Sequence, residues 1–194
     1  MHLEQQIDER LNITVRNVLK DGSGPQKKLI FFSAQDPPEE DLEDFMPDLV
    51  MSEETLQAVQ LWKESGFDTG QTVRVLINLP GFSLVYAWFR SGFQLPVHSH
   101  NADCLYYIIS GEAIMGNRTL KAGDGFFVPK DVFYSYTAGP EGIEILEFRH
   151  AQRIDMKWRD SKPEFWTKVA ENLAASQSKW LEEKPPQRVS NGLG

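Results

Sequence analysis

The chain has 194 residues, a length typical of one domain with appendages, and its composition of 41% hydrophobic and 25% charged residues excludes global disorder. The formal net charge of −8 argues against a nucleic-acid or anionic-membrane partner, because either requires clustered Lys and Arg. The single cysteine, Cys104, excludes an internal disulfide and a multi-cysteine zinc cage.

No apolar run approaches the roughly 18 residues of a membrane span, and the first twelve residues lack the apolar stretch of a signal peptide. We therefore expect a cytoplasmic protein with no membrane association.

Residues 1–70 are predicted to form an N-terminal arm followed by a short helix. Within the arm, residues 36–48 carry seven acidic groups and no basic one, which favours a solvated linker over a binding patch. Ser52 is a candidate cap for the short helix, and Gly66 is expected to end it.

Residues 71–150 show short apolar or alternating runs separated by turn residues, which predicts eight strands without crossover helices. Such a pattern indicates an antiparallel sandwich or a small closed barrel. The eight runs are VRVLINLP, FSLVYAWFR, LYYIIS, EAIM, RTL, GFFVP, VFYSYT and IEILEF.

Residues 151–194 are predicted to form a C-terminal helical tail. Ser161 and Glu164 suggest a capping box around Pro163, and apolar residues then follow at helical spacing. We expect this helix to cover the barrel or a neighbouring subunit.

Two histidines, His98 and His100, stand two residues apart in the segment LPVHSHNADC. Side chains alternate along a strand, so both rings lie on one face and can converge on a single metal ion. The alternative is a pair that only satisfies hydrogen bonds or lies exposed.

Five residues separate Gly92 from His98, and six separate Cys104 from Gly111. This spacing resembles the motifs of the cupin superfamily. In the first motif, G(X)5HXH(X)3-4E(X)6G, the glycines and histidines match and Cys104 replaces the glutamate. In the second, G(X)5PXG(X)2H(X)3N, only the glycine and the proline match, and Tyr134 replaces the third histidine. The matching first-motif residues are Gly92, His98, His100 and Gly111, and the second-motif positions are Gly123, Pro129, Asp131, Tyr134 and Ala138.

The resemblance implies an all-β fold, a single cupin double-stranded β-helix or jelly-roll barrel, between the N-terminal arm and the C-terminal helix. Gly111 is expected to permit a tight reversal between two strands. Because cupin barrels commonly pair, we also expect a homodimer.

The resemblance further implies a divalent metal, here iron, zinc, nickel or manganese, with no organic cofactor. His98 and His100 are the principal candidate ligands of this metal ion, and Cys104 and Tyr134 could complete its coordination shell. Two other readings remain open: a metal-free pocket that binds or transforms a small organic molecule, and a barrel that serves assembly or regulation.

A metal-bound barrel of this kind suggests a lyase or a dioxygenase acting on a small molecule. The run HSHNADCLYYIISGEA resembles the first motif of dimethylsulfoniopropionate lyases, which implies Tyr106 as the acid/base. Thiol dioxygenases are similar in having a cysteine near the glutamate position. Asp103 should face away from the site, whereas Arg90 and Glu147 could line the pocket or lie on the exterior.

Overall fold

The computed structural model describes residues 29–37, 45–46 and 48–188. The helical elements are α1 (Glu53–Trp62), a π-helical turn (Lys63–Phe67), α2 (Asp68–Gly70) and α3 (Pro163–Trp180). The strands are β1 (Asp48–Val50), β2 (Gln71–Leu79), β3 (Phe82–Phe89), β4 (Gln94–Ser99), β5 (Cys104–Met115), β6 (Arg118–Lys121), β7 (Gly125–Val128), β8 (Tyr134–Arg149) and β9 (Asp155–Trp158).

The strands of the described residues form one curled sheet centred on β8, which pairs with β3, β4 and β5. Every pairing is antiparallel except that of β1 with β9. Alternate residues of β5 and β8 point into the barrel, because each strand buries every second side chain there. The predicted all-β barrel is confirmed.

The predicted strands occur, but several boundaries differ. The runs LYYIIS and EAIM belong to one continuous strand, β5, and the last two predicted strands join as β8. The eight predicted runs did not include β1, β4 or β9, which are three, six and four residues long. Because β9 pairs with β4, the sheet extends past residue 150. The division of the chain into domains at residues 70 and 150 stays a prediction.

The predicted reversal at Gly111 is wrong, because β5 runs straight through this residue. Gly111 instead has φ of +74° at an irregularity in the β5–β8 register. A Cβ there would lie 2.1 Å from the carbonyl oxygen of Gly142, so the position needs glycine both for its backbone conformation and for the close approach of β8.

Helices α1 and α3 pack against each other and join the main hydrophobic core. Trp62 is fully buried there, with ring centroids 5.3 Å from Trp158 and 6.3 Å from Trp166. Ser52 caps α1 as predicted, since its hydroxyl accepts a hydrogen bond from the Thr55 amide.

The other two helix-end predictions have different outcomes. α3 begins after Lys162 with Pro163 in its first turn and has no side-chain cap, so the capping box at Ser161 is wrong. Gly66 ends the first helical segment as predicted, because its φ of +112° is non-helical, and α2 is a separate short helix after this kink.

On the outer face of β3 and β8, Glu144 accepts hydrogen bonds from Tyr86, Ser110 and Arg188. Arg188 follows α3, so this carboxylate attaches the C-terminal segment to the sheet. Arg74 similarly donates a hydrogen bond to the carbonyl of Ala34 in the N-terminal arm.

Most of the acidic stretch, residues 38–44 and 47, lies outside the described residues, so its role as a linker stays a prediction. The homodimer also stays a prediction. Within the part of the chain that the structure describes, no helix is both long and apolar enough to cross a membrane.

Candidate functional site

The two motif histidines lie together inside the barrel. His98 is on β4 opposite Tyr134, and His100 comes just after the strand ends. Both side chains are buried, and their ring centroids are 5.1 Å apart. The rings are therefore brought together as the two-residue spacing predicted.

Each imidazole is oriented by a backbone carbonyl. Nδ1 of His98 lies 2.8 Å from the carbonyl oxygen of Pro96, and Nδ1 of His100 lies 2.6 Å from that of Asp155. A carbonyl oxygen can only accept, so Nδ1 carries the proton in both rings. Nε2 of each neutral ring is then left with a free lone pair, the atom that could bind a metal or accept a proton.

Burial keeps both imidazoles neutral. Desolvation, with a smaller contribution from the positive charge of Arg149, lowers the pKa of His98 to about 4 and that of His100 to about 3. The carbonyl hydrogen bonds oppose these shifts but do not reverse them. At neutral pH the site therefore presents two uncharged nitrogen bases.

Two tyrosine hydroxyls meet beside the histidines. Tyr106 of β5 and Tyr134 of β8 are hydrogen bonded through their hydroxyl groups, and the Tyr134 ring centroid is 4.3 Å from that of His98. The Tyr106 ring stacks on Phe126 at 4.5 Å. Burial raises the pKa of both phenols, so both are protonated at neutral pH.

Cys104 replaces the family glutamate and also points into the barrel, with 1% of its surface exposed. Its thiol lies 3.6 Å from the carbonyl oxygen of Ala102 as a weak donor. Burial raises the pKa of this thiol, although Arg149 opposes the shift. Asp103 is exposed, as predicted, and accepts a hydrogen bond from the amide of Lys130.

A buried ion pair completes the cluster. Glu147 is opposite Tyr106 and Arg149 is opposite Cys104 in the β5–β8 register, so both side chains share the inward face of those residues. Arg149 pairs with Glu147, and both residues are buried. The sequence left Glu147 undecided and did not single out Arg149, although the two alternate at the end of the last predicted strand.

Arg90 lies outside this cluster. Its guanidinium lies 4.1 Å above the Trp88 ring, and its Nε donates a hydrogen bond to the carbonyl oxygen of Trp180. It therefore helps attach α3 to the sheet.

The turn of the second motif has a positive φ at the position of the motif's second glycine, although that residue here is Asp131. Asp131 occupies the glycine position of the motif and is the single described non-glycine residue with positive φ, at +63°. Its amide donates a 2.7 Å hydrogen bond to the carbonyl oxygen of His100. The turn before β8 thus braces the histidine segment, and aspartate tolerates this conformation better than most residues.

The donor set fits a transition metal at the two histidines, because imidazoles that donate Nδ1–H to carbonyls are the usual oriented form of metal-ligating histidine. Among the described residues, no third His, Cys, Asp or Glu side chain joins the two histidines in an arrangement that could hold a metal ion, and no such group of three occurs elsewhere. Cys104 and Tyr134 as additional ligands stay predictions.

No protein-family model matches the chain, and no curated protein matches its sequence. Among solved structures, an RmlC-like cupin from Shewanella frigidimarina is 30% identical over 43% of this chain and 79% of its own, with a TM-score of 0.40. KdgF from Halomonas sp. is 24% identical over 42% and 79% of the two chains, with a TM-score of 0.38. A salicylate 1,2-dioxygenase from Pseudaminobacter salicylatoxidans is 18% identical over 52% and 35%, with a TM-score of 0.40.

The chain belongs to the cupin superfamily. The antiparallel barrel and the two first-motif histidines inside it agree with this assignment. The likeness to KdgF and to the dioxygenase is one of fold. The specific resemblance to dimethylsulfoniopropionate lyases stays a prediction.

Proposed function

We propose that this protein is a cupin enzyme that transforms a small organic molecule inside its barrel, with a divalent transition metal bound by His98 and His100. The observation that carries the proposal is the shared tautomer of the two rings, whose Nδ1 atoms both donate to backbone carbonyls. This arrangement prepares two neutral nitrogen donors in one buried place.

A bound metal would act as a Lewis acid and would lower the pKa of groups close to it. Iron, zinc, nickel and manganese remain the candidates, and water or substrate would supply the remaining ligands. Cys104 and Tyr134 stand at the motif positions of the two missing family ligands, and we retain them as second-rank candidates.

Tyr106 is the proposed acid/base. Its phenol is protonated in this environment, because burial holds its pKa well above the ordinary value. It can therefore donate a proton directly, and the neighbouring Tyr134 hydroxyl can relay one. Acting first as a base, as a lyase mechanism requires, would need its pKa lowered, and Arg149 already acts in that direction.

The second candidate function is a metal-free cupin that binds a small ligand. The buried Glu147–Arg149 pair favours it, because a guanidinium cation beside the imidazoles opposes the approach of a second positive charge. The two candidates make opposite predictions for metal content.

The deciding experiment is elemental analysis of protein purified without a chelator or a histidine tag. The proposal predicts close to one equivalent of a transition metal per chain in the wild type. His98→Ala and His100→Ala should each reduce that content at least tenfold, because neither variant retains both nitrogen ligands. His150→Ala is the matched control, since His150 is exposed.

Metal content below about a tenth of an equivalent in the wild type, even after incubation with each of the four candidate metals, would refute the metal proposal. Retention of metal in both barrel variants would refute the assignment of these two ligands.

A further inference from the structure

We propose that Arg149 and Ser83 form a carboxylate-binding subsite inside the barrel, so that the ligand of this protein is a small organic acid. The inference deepens the proposed function by naming a ligand class, and it rests on that proposal only in assuming that the ligand enters the barrel.

The guanidinium of Arg149 has more hydrogen-bond donors than the surrounding protein uses. The residue is 5% exposed, and its Nη2 donates to Glu147. Nε and Nη1 are buried and have no nitrogen or oxygen acceptor among the described residues, and the nearby Cys104 thiol offers the guanidinium only a weak sulfur acceptor. Unpaired donors on a buried cation are costly, so an anion that supplied acceptors to Nε and Nη1 would remove that cost.

A second unpaired donor lies in the adjacent strand. Ser83 of β3 is directly opposite Arg149 of β8 in the antiparallel register, and both side chains lie on the inward face. Ser83 is fully buried, and its hydroxyl has no hydrogen-bond partner in the described structure. Arginine and serine donors from neighbouring strands can therefore reach the same carboxylate group.

The position of Arg149 relative to the histidines suits a ligand whose carboxylate binds Arg149 while the rest of the ligand lies near the imidazoles. Arg149 is close enough to His98 and His100 for its charge to act on both imidazoles, and it lies opposite Cys104. The Phe45 ring centroid lies 5.9 Å from the guanidinium carbon, and both residues are buried. A carboxylate on Arg149 would place the rest of a small ligand beside the imidazoles and the tyrosine pair.

Glu147 is the internal competitor in this arrangement. Its carboxylate already pairs with Arg149, so a ligand carboxylate has to share the same cation. Removal of the Glu147 charge should therefore strengthen carboxylate binding, whereas removal of Arg149 should abolish the preference for carboxylates. A guanidinium with a purely structural role would not give these opposite effects.

The test compares formate, acetate, oxalate and benzoate with formamide, acetamide, oxamide and benzamide on metal-stripped protein. Sodium chloride keeps the ionic strength equal in all samples. The thermal midpoint is followed against ligand concentration to obtain Kd. We expect at least one carboxylate to stabilise the wild type more than its amide does, and Arg149→Gln to weaken that carboxylate about tenfold or more.

Three further variants sharpen the result. Glu147→Gln should bind the same carboxylate more tightly than the wild type does. Arg188→Gln is the matched control, because Arg188 also pairs with a buried glutamate, Glu144, but on the outer face. If Arg149→Gln does not fold, the double variant Glu147→Gln/Arg149→Gln removes the pair without leaving an unpaired charge, and it too should lose the carboxylate preference.

The inference is overturned if no carboxylate exceeds its amide in the wild type, or if the preference survives in Arg149→Gln. Metal-stripped protein separates this outcome from the function proposal. Carboxylate binding without metal uptake would support the subsite and refute the proposal of a metal enzyme. Metal uptake without a carboxylate preference would support the metal enzyme and refute the subsite.

Discussion

The hydroxyl groups of Tyr106 and Tyr134 are hydrogen bonded to each other across β5 and β8 inside the barrel. Tyr134 occupies the third-histidine position of the family motif, and Tyr106 is the proposed acid/base. Tyr134 thus gives the acid/base candidate a hydroxyl partner inside the buried site.

The tyrosine pair gives the first prediction. Tyr134→Phe should lower the free energy of unfolding by about 1–2 kcal/mol, because the buried Tyr106 hydroxyl loses its partner. Tyr106→Phe should cost a similar amount, and the double variant should cost less than the sum of the two. Urea denaturation of the four proteins measures this coupling, and strictly additive losses would contradict it.

The close approach of β5 and β8 gives the second prediction. Gly111→Ala should destabilise the fold by about 2–5 kcal/mol, since the new methyl group meets the Gly142 carbonyl and the backbone keeps a positive φ. Gly116→Ala is the control, because Gly116 has φ of +59° but no neighbouring atom within 4 Å of the place a methyl group would take. It should cost only about 1–2 kcal/mol by thermal or urea unfolding. Equal losses would show that the contact with Gly142 is unimportant.

The burial of Cys104 gives the third prediction. Its thiol is 1% exposed and has a raised pKa, so it should react with Ellman's reagent in the folded protein at a rate on the order of a hundredfold or more below that in urea. Absorbance at neutral pH follows the reaction. Complete labelling of the folded protein at the rate of the unfolded chain would contradict the buried position.

Glu144 gives a pH prediction. Its burial alone would raise its pKa, but hydrogen bonds from Arg188, Ser110 and Tyr86 outweigh burial and lower the pKa below its ordinary value. The charged form of the Glu144 carboxylate is thus more favoured in the folded state than in the unfolded state. The resulting stabilisation is complete above the unfolded pKa of about 4.5 and is lost as pH falls through the lower folded value.

Thermal unfolding of the wild type should therefore occur at lower temperature as pH falls below about 4.5. Arg188→Gln should already be less stable at pH 7 and should lose less on acidification, because the main group that lowers the Glu144 pKa is gone. Arg118→Gln, whose side chain is on the surface, serves as the control. Parallel pH profiles for Arg188→Gln and the wild type would refute this role of Glu144.

Several elements were predictable because they depend on short-range patterns. Alternation of apolar residues predicted β3 and the two ends of β8, and the two-residue spacing placed His98 and His100 on one side of the chain. The Ser52 cap was also visible, since it needs only a hydroxyl at the start of an apolar helix.

Other features depend on which strands become neighbours. Nothing in the local pattern at Gly111 distinguishes a tight turn from a strand that passes close to Gly142. The short strand β9 likewise has little periodicity of its own, and it forms a strand through pairing with β1 and β4.

The sequence by itself determined that the chain forms a β-barrel and that two imidazoles face its interior, because side-chain alternation operates over a few residues. Only the tertiary structure decided what surrounds them. Glu147 and Arg149 reach the site because β8 pairs with β5 in a register that sets them opposite Tyr106 and Cys104, more than 40 residues earlier in the chain. Such a register depends on packing across the whole sheet, and no local spacing encodes it.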